Sequence, residues 1–335
     1  MFLAKVLSTT NVILRRLMDR QRHIPVLCDE VLDFLKPQPN GVYVDGTVGL
    51  GGHSYAILKA SAPDGYVIGI DLDPDALAIA KEKLHTFGDR CCLINGNFAA
   101  MPVLLKERSI YAVDGVLLDL GVSSLQLDTP HRGFSFNHPG PLDMRMGSGH
   151  ELNTNQEIPP TAMQVVNHSS IDTLVDIFKR YGEERFARRI AARILETRQQ
   201  IPITTTTHFA EIVKSAVPQK TSKIHPATRV FQALRIHVNR ELENLEIGLD
   251  AVISLLKPGG RLCVIAFHSL EDRIVKRRFQ MCAKTCICPP KIPVCICEHK
   301  PSLQILTKRP IVPDASVVQH NPRARSAKLR VARKL

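Results

Sequence analysis

The sequence predicts an α/β protein: a doubly wound parallel sheet whose strand–helix alternation is broken by a long helical insertion. Three observations predict it. A short apolar run, residues 41–45, leads into the glycine-rich turn 46–52 and then into helical spacing. Further apolar runs end on acids, at Asp71 and Asp119. From about residue 129 to 226 the alternation stops and only helical periodicity remains. Strand, glycine turn, helix and strand again is the order in which parallel sheets are wound.

Taken in chain order, residues 23–35 read as a lead-in helix ended by Pro37 and Pro39. Residues 41–45 form the first strand, and helical spacing runs over 53–60. Residues 66–71 form the second strand. Pro74 suits a helix start, and the helix continues over 76–84. Third and fourth strands are expected at 91–95 and 114–119. The insertion carries helical segments at 171–180, 183–198 and 208–216, with no convincing strand.

The sheet pattern then returns. Phe231, Leu234, Val238, Leu242, Leu245, Leu249, Val252 and Leu256 are spaced three or four apart, which predicts one long amphipathic helix over 227–256. Residues 257–260 end it and 261–267 form a fifth strand. Ser269 is expected to cap the next helix, with Asp272 completing an imperfect capping box. The expected organisation is a basic N-terminal extension (1–22), a sheet domain in two parts (23–128 and 227–281) and a helical insertion (129–226). A Cys-rich loop (282–300) and a C-terminal segment with a basic tail (301–335) follow.

The 335 residues suffice for one large core or two unequal domains. No window approaches the roughly 20 apolar residues that span a bilayer, so a soluble protein with no membrane partner is expected. Lys and Arg outnumber Asp and Glu by 44 to 32, a net charge of +12 that favours a polyanionic partner. Five of nine cysteines crowd into 282–297, unlike a small secreted disulfide scaffold, and a reducing compartment fits better. Residues 1–20 are Arg-rich and acid-poor. A short basic extension is preferred to an organellar transit peptide, because the stretch is short and its Ser/Thr content modest.

Ligands of open α/β sheets sit outside the carboxyl ends of the strands. Glycines in the first turn let backbone approach a ligand, and an acid ending the second strand, here Asp71, can accept both hydroxyl hydrogens of a ribose. Gly46, Gly49, Gly51 and Gly52 do not follow the dinucleotide G-x-G-x-x-G spacing. A cationic sulfonium cofactor suits the acidic strand ends Asp45, Asp71 and Asp119, so S-adenosylmethionine is preferred.

Longer motifs then carry a resemblance. They are His23-Ile-Pro-Val-Leu, Asp45-Gly-Thr-Val-Gly-Leu-Gly-Gly-His-Ser54, Leu118-Asp-Leu-Gly-Val-Ser-Ser124, Arg132-Gly-Phe-Ser-Phe136 and Gly140-Pro-Leu-Asp-Met-Arg-Met146. Tyr181-Gly-Glu-Glu-Arg-Phe186, His225-Pro-Ala-Thr-Arg229, Phe267-His-Ser-Leu-Glu-Asp-Arg273 and Asn321-Pro-Arg-Ala-Arg-Ser326 continue the series. From about His23 onward the chain closely resembles the bacterial small-subunit ribosomal RNA cytosine-N4 methyltransferases, the MraW/RsmH family. The resemblance implies a Rossmann-like S-adenosylmethionine-dependent methyltransferase sheet with an inserted helical domain. It implies a cytosine in the decoding region of 16S ribosomal RNA, within the small subunit, as target, and a cytoplasmic enzyme. It implies cofactor contacts at Gly51, Gly52, His53, Asp71, Phe98, Asp119 and Gln126.

Cytosine N4 is a poor nucleophile because its lone pair is delocalised into the ring, so it must be held in line with the methyl group. Amino methyltransferases commonly place an Asp/Asn/Ser-Pro-Pro-aromatic motif after the fourth strand. Here that place reads Asp119-Leu-Gly-Val122. Asp119 is therefore the catalytic candidate, as amino-group acceptor or as cofactor contact. Ser123, Ser124, Asp143, Arg145 and His268 are further candidates around the cleft, and Phe134 or Phe136 for stacking on a flipped base. For each of these, an ordinary structural role is the competing reading.

Basic residues for RNA lie at Arg185, Arg188 and Arg189, at Arg273 to Arg278, and in the tail from Arg323 to Lys334, with the tail favoured. Cys286, Cys288, Cys295 and Cys297 offer four thiols for a structural zinc, although C-x-C is tighter than the usual spacing; reduced thiols or reversible disulfides are the alternative. The alternatives are an amino methyltransferase acting on another nucleic acid or on a protein and, from another class, a non-catalytic RNA-binding assembly factor of the same fold, against which Gly51, Gly52 and Asp71 are all intact.

Overall fold

A computed structural model describes residues 25–147, 158–218, 225–289, 294 and 296–335. The N-terminal extension, His23 and Cys295 lie outside these. The elements are α1 (Cys28–Leu35), β1 (Val42–Asp45), α2 (Gly52–Ala60), β2 (Tyr66–Asp71), α3 (Pro74–Leu84), β3 (Cys91–Asn95), α4 (Met101–Lys106), β4 (Val113–Asp119) and α5 (Ser124–Asp128). Then come α6 (Ala162–His168), α7 (Ile171–Gly182), α8 (Ala187–Gln200), α9 (Thr206–Ala216), α10 (Ala227–Asn239), α11 (Glu241–Leu255) and β5 (Leu256–Ala266). The chain closes with α12 (Ser269–Ala283), β6 (Leu303–Ile305), α13 (Ala315–His320) and β7 (Lys328–Lys334).

The seven strands form one sheet in the order β3-β2-β1-β4-β5-β7-β6. The first five are parallel, and β7 runs antiparallel between β5 and β6. The order reverses beside β1, so the loops after β1 and β4 flank the crevice where such sheets bind ligands. Apolar side chains fill both faces. Val44, Ile68, Val116 and Leu118 pack with Leu249 and Val252 of α11 on one side; Val67, Leu117 and Ile265 pack with Ile57 of α2 on the other. Among the described residues, no helix is long and apolar enough to cross a membrane.

Two expectations are corrected. The helix expected over 227–256 is two helices, α10 and α11, broken at Arg240, whose φ of 50° is left-handed. Their apolar rows keep the same spacing across the break, which is why the sequence reads as one helix. They serve different cores: Val230, Phe231, Leu234 and Val238 of α10 pack with Phe178 and Phe209 of the helical unit, while α11 covers the sheet. The helical core therefore extends past residue 226.

The cap of α12 is His268, not Ser269, and its box partner is Glu271, not Asp272. The basic tail is in part built into the sheet. Its second half is β7, with Leu329, Val331 and Ala332 buried, and Arg330 Nε donates to Asp272 at 2.6 Å. Lys334 Nζ donates to the Ile253 carbonyl at 2.9 Å. Ahead of the strand, Arg323 pairs with Asp128.

Candidate active site

The site forms at the carboxyl ends of β1, β2, β4 and β5. The turn after β1 is shaped by glycine: Gly49 and Gly51 take φ of 50° and 75°, which side chains avoid. At Gly52 a Cβ would stand 2.6 Å from Pro25 Cγ, so α2 starts tight against the lead-in segment. Asp45, almost wholly buried, accepts from Ser54 Oγ at 2.7 Å and from the Thr47 N–H at 3.3 Å. Thr47 Oγ1 in turn accepts from the Asp119 N–H at 2.6 Å, which ties the ends of β1 and β4 together.

Asp71 sits across this turn. Its two carboxylate oxygens accept the N–H groups of Gly49 at 2.8 Å and Asp73 at 2.9 Å. Each oxygen keeps a further lone pair for a ligand hydroxyl. Burial pushes its pKa up to about 6, against those two N–H donors. The carboxylate is therefore ionised at neutral pH, but not by a wide margin.

Asp119 and His53 form the second charged pair. His53 Nε2 lies 3.6 Å from Asp119 Oδ2, a charge contact rather than a formed hydrogen bond, and both ring nitrogens and Asp119 Oδ1 are buried with no hydrogen-bond partner. Burial opposes the charged imidazole, but Asp119, Cys28 and Asp45 outweigh it and push its pKa up to about 10. Unpartnered polar atoms in a cleft call for a ligand, since each costs about 1–3 kcal/mol when left unpaired.

A cavity of about 430 Å³ joins these groups. Gly52, His53, Asp71, Phe98, Asp119 and Gln126 line it, and so do Ser123 and Ser124. The Phe98 ring also packs where a Cβ on Gly248 of α11 would stand, 2.4 Å from the ring. Gln126 is more committed than the sequence suggests: its Oε1 caps α5 through Ser123, and its Nε2 donates to Asp73 at 3.0 Å. Gly51 is not on the cavity wall; it sets the turn's path against Leu84 and Ala80.

The wall towards the helical unit was mostly missed in the sequence. Arg235 of α10 holds Glu241 of α11 through two bonds of 2.8 Å across the Arg240 break. Asn239 donates to the Met144 carbonyl and accepts from the Met146 N–H, both at 2.8 Å, which pins the 140–146 loop to the cavity. His268 and Glu271 complete this wall. Glu271 is held below the ordinary carboxylate range, because His268 and Arg235 outweigh the effect of burial. Polar residues at the ends of an amphipathic pattern were the available signal, but their convergence depends on the break.

Other candidates are not brought in. Asp143 and Arg145 satisfy each other through two bonds of 2.8 Å, and neither lines the cavity. Phe134 lies in the helical core, and Phe136 stacks against His225 and Phe231 at 4.7 and 4.9 Å. Phe267 is the aromatic ring at the cavity that sequence reasoning passed over. Arg185, Arg188 and Arg189 are exposed, as are Lys276 and Arg277, while Arg273 pairs with Glu183 at 3.0 Å. In the loop after α12, the Sγ atoms of Cys286, Cys288 and Cys297 lie within 4.8 Å of one another, remote from the cavity lining.

Comparison with known proteins matches the sequence to a family. The family model described as the MraW methylase family matches residues 20–335. "Ribosomal RNA small subunit methyltransferase H" of Syntrophotalea carbinolica is 53% identical over 94% of this chain and 98% of its own length. The protein of the same name from Trichlorobacter lovleyi is 51% identical over 95% of this chain and 100% of its own. Among solved structures, an rRNA methylase from Streptococcus thermophilus is 10% identical, with a TM-score of 0.39 over 92% of this chain and 93% of its own. The sequence relatives carry the assignment: the chain belongs to the MraW methylase family and is a methyltransferase.

Proposed function

We propose that the protein transfers a methyl group from S-adenosylmethionine to the exocyclic N4 of a cytidine in the decoding region of 16S ribosomal RNA, in the cytoplasm, with the small ribosomal subunit as substrate. The observation that carries the reading is the shared cavity. It joins a glycine turn and a ribose-accepting Asp71 to an unpartnered Asp119 oxygen, with polar residues of the helical unit facing them. The names of the sequence relatives supply the ribosomal substrate.

The residues present fit the cofactor. Gly52 brings backbone close, Asp71 has lone pairs left for ribose hydroxyls, and Phe98 offers a ring to flank an adenine. Asp71 and Asp119 put carboxylates on the wall of the space, while Asp45 is buried outside its lining. When bound, S-adenosylmethionine supplies an electrophilic methyl group on a sulfonium. Asp119 Oδ1 accepts a hydrogen from the base amino group, which localises the lone pair on N4 and orients it for in-line attack. His53 Nε2, 3.6 Å from Asp119 Oδ2, positions that carboxylate at the end of β4. No strong base is required, since the proton leaves N4 for water after the methyl group has moved. Purified protein with methyl-labelled S-adenosylmethionine and unmodified small subunits should label RNA, and Asp71→Ala should abolish the transfer. Label in ribosomal protein would contradict the reading.

A structural zinc at Cys286, Cys288, Cys295 and Cys297 belongs to the same proposal. Backbone N–H groups of Ile287, Cys288 and Ile296 point at the sulfurs of Cys297, Cys286 and Cys288 at 3.4 to 3.5 Å, and these three sulfurs converge within 4.8 Å, as ligands of one tetrahedral metal would. Metal analysis of purified protein should find about one zinc per chain, reduced in Cys286→Ser. Metal-free protein of unchanged stability would contradict it.

A further inference from the structure

The residue that caps α12 is an unusual choice. Caps are ordinarily Asn, Asp, Ser or Thr, and histidine is not among the favoured residues. His268 nevertheless closes a reciprocal box: its Nδ1 accepts the Glu271 N–H at 3.4 Å, while Glu271 Oε2 accepts the N–H groups of Phe267 at 2.8 Å and His268 at 3.3 Å. A neutral imidazole whose Nδ1 accepts a hydrogen bond carries its proton on Nε2.

That Nε2 is the informative atom. The side chain is 9% exposed, and Nε2 is buried with no hydrogen-bond partner. It lies 3.2 Å from Glu271 Oε1 without the alignment of a hydrogen bond. Glu241 is nearby, but both its oxygens are held by Arg235. A residue poorly chosen for its cap, and holding at a cavity a donor whose nearest acceptor is a poorly aligned Glu271 oxygen, breaks local rules in the way functional sites do. His268 also sits beside the chemistry. Asp119 pairs in register with Ile265 on the neighbouring strand, and His268 lies three residues beyond at the same sheet edge.

We infer that His268 reads the target base, its Nε2–H donating to cytosine N3 while Asp119 receives the adjacent N4 amino group. This rests on the proposed cytosine reaction. Cytosine N3 is an acceptor, whereas N3 of uracil carries a hydrogen and would meet Nε2–H donor to donor. His268 thus both orients N4 and rejects the other pyrimidine.

Capping and base reading can be separated, because Asn places its amide near the position of Nδ1 and Gln reaches towards that of Nε2. Wild type, His268→Asn and His268→Gln are compared for thermal stability, S-adenosylmethionine affinity and single-turnover formation of N4-methylcytidine on unmodified small subunits. His268→Asn should keep stability and cofactor affinity while its transfer rate falls about tenfold or more. His268→Gln should be the less stable variant yet retain more of the rate. A cap-only role gives the opposite order, with His268→Asn within about threefold of wild type, and overturns the inference. Wild type that makes no N4-methylcytidine overturns the reaction and this assignment with it.

Discussion

Asp71 shows what a single residue can and cannot reveal. Its place was legible because ligands of open α/β sheets sit outside the carboxyl ends of the strands, and the second apolar run ends on this acid. Its ionisation was not, because that depends on how deeply the turn buries it. With a pKa of about 6, the carboxylate is ionised above that pH and protonates as the pH falls through it. S-adenosylmethionine affinity, measured calorimetrically from pH 8 to pH 5, should therefore drop below about pH 6 in wild type. Asp71→Asn should bind weakly throughout and lack that inflection. Asp143 and Arg145 illustrate the converse. Adjacent charges in a Gly/Pro-bounded loop read as a site, but Asp143 and Arg145 turn to each other outside the cavity lining. Phe134 and Phe136 read as stacking rings, and only partners far along the chain make them core.

At the scale of elements, the parallel strands were legible because each contains an apolar run bounded on at least one side by glycine or acid. The break at Arg240 was not, since both helices keep apolar spacing in phase across it. Strand β7 was hidden for another reason: Lys328-Leu-Arg-Val-Ala-Arg-Lys334 is too charged to read as a sheet interior. The structure resolves this by giving Arg330 a carboxylate, Asp272 of α12, with side chains 9% and 15% exposed. Removing one partner of a buried pair strands the other charge, at about 3–5 kcal/mol. Asp272→Ala should lower stability in denaturant titration by an amount of that order, and Asp272→Asn by less.

For the whole molecule, the sheet with its helical insertion follows from the interrupted alternation, but the use of the positive charge does not. In the tail, Arg323, Lys328 and Arg330 pair with Asp128 and Asp272, while Arg325 is exposed. We propose the exposed Arg188 and Arg189 of α8 as a polyanion contact; Lys276 and Arg277 of α12 are also exposed. Arg188→Glu combined with Arg189→Glu should weaken subunit binding and flatten its salt dependence, with stability changed by no more than about 0.5 kcal/mol. Unchanged binding in a filter assay at several salt concentrations would remove α8 from the interface.

The central claim is that one cavity presents a methyl donor to a cytosine amino group. Mass analysis of nucleosides from small subunits methylated by the purified protein tests it most directly. The account expects the new methyl group on N4 of cytidine, absent when Asp119→Ala replaces wild type. A methyl group on the ring carbon, on the ribose or on another base would contradict it.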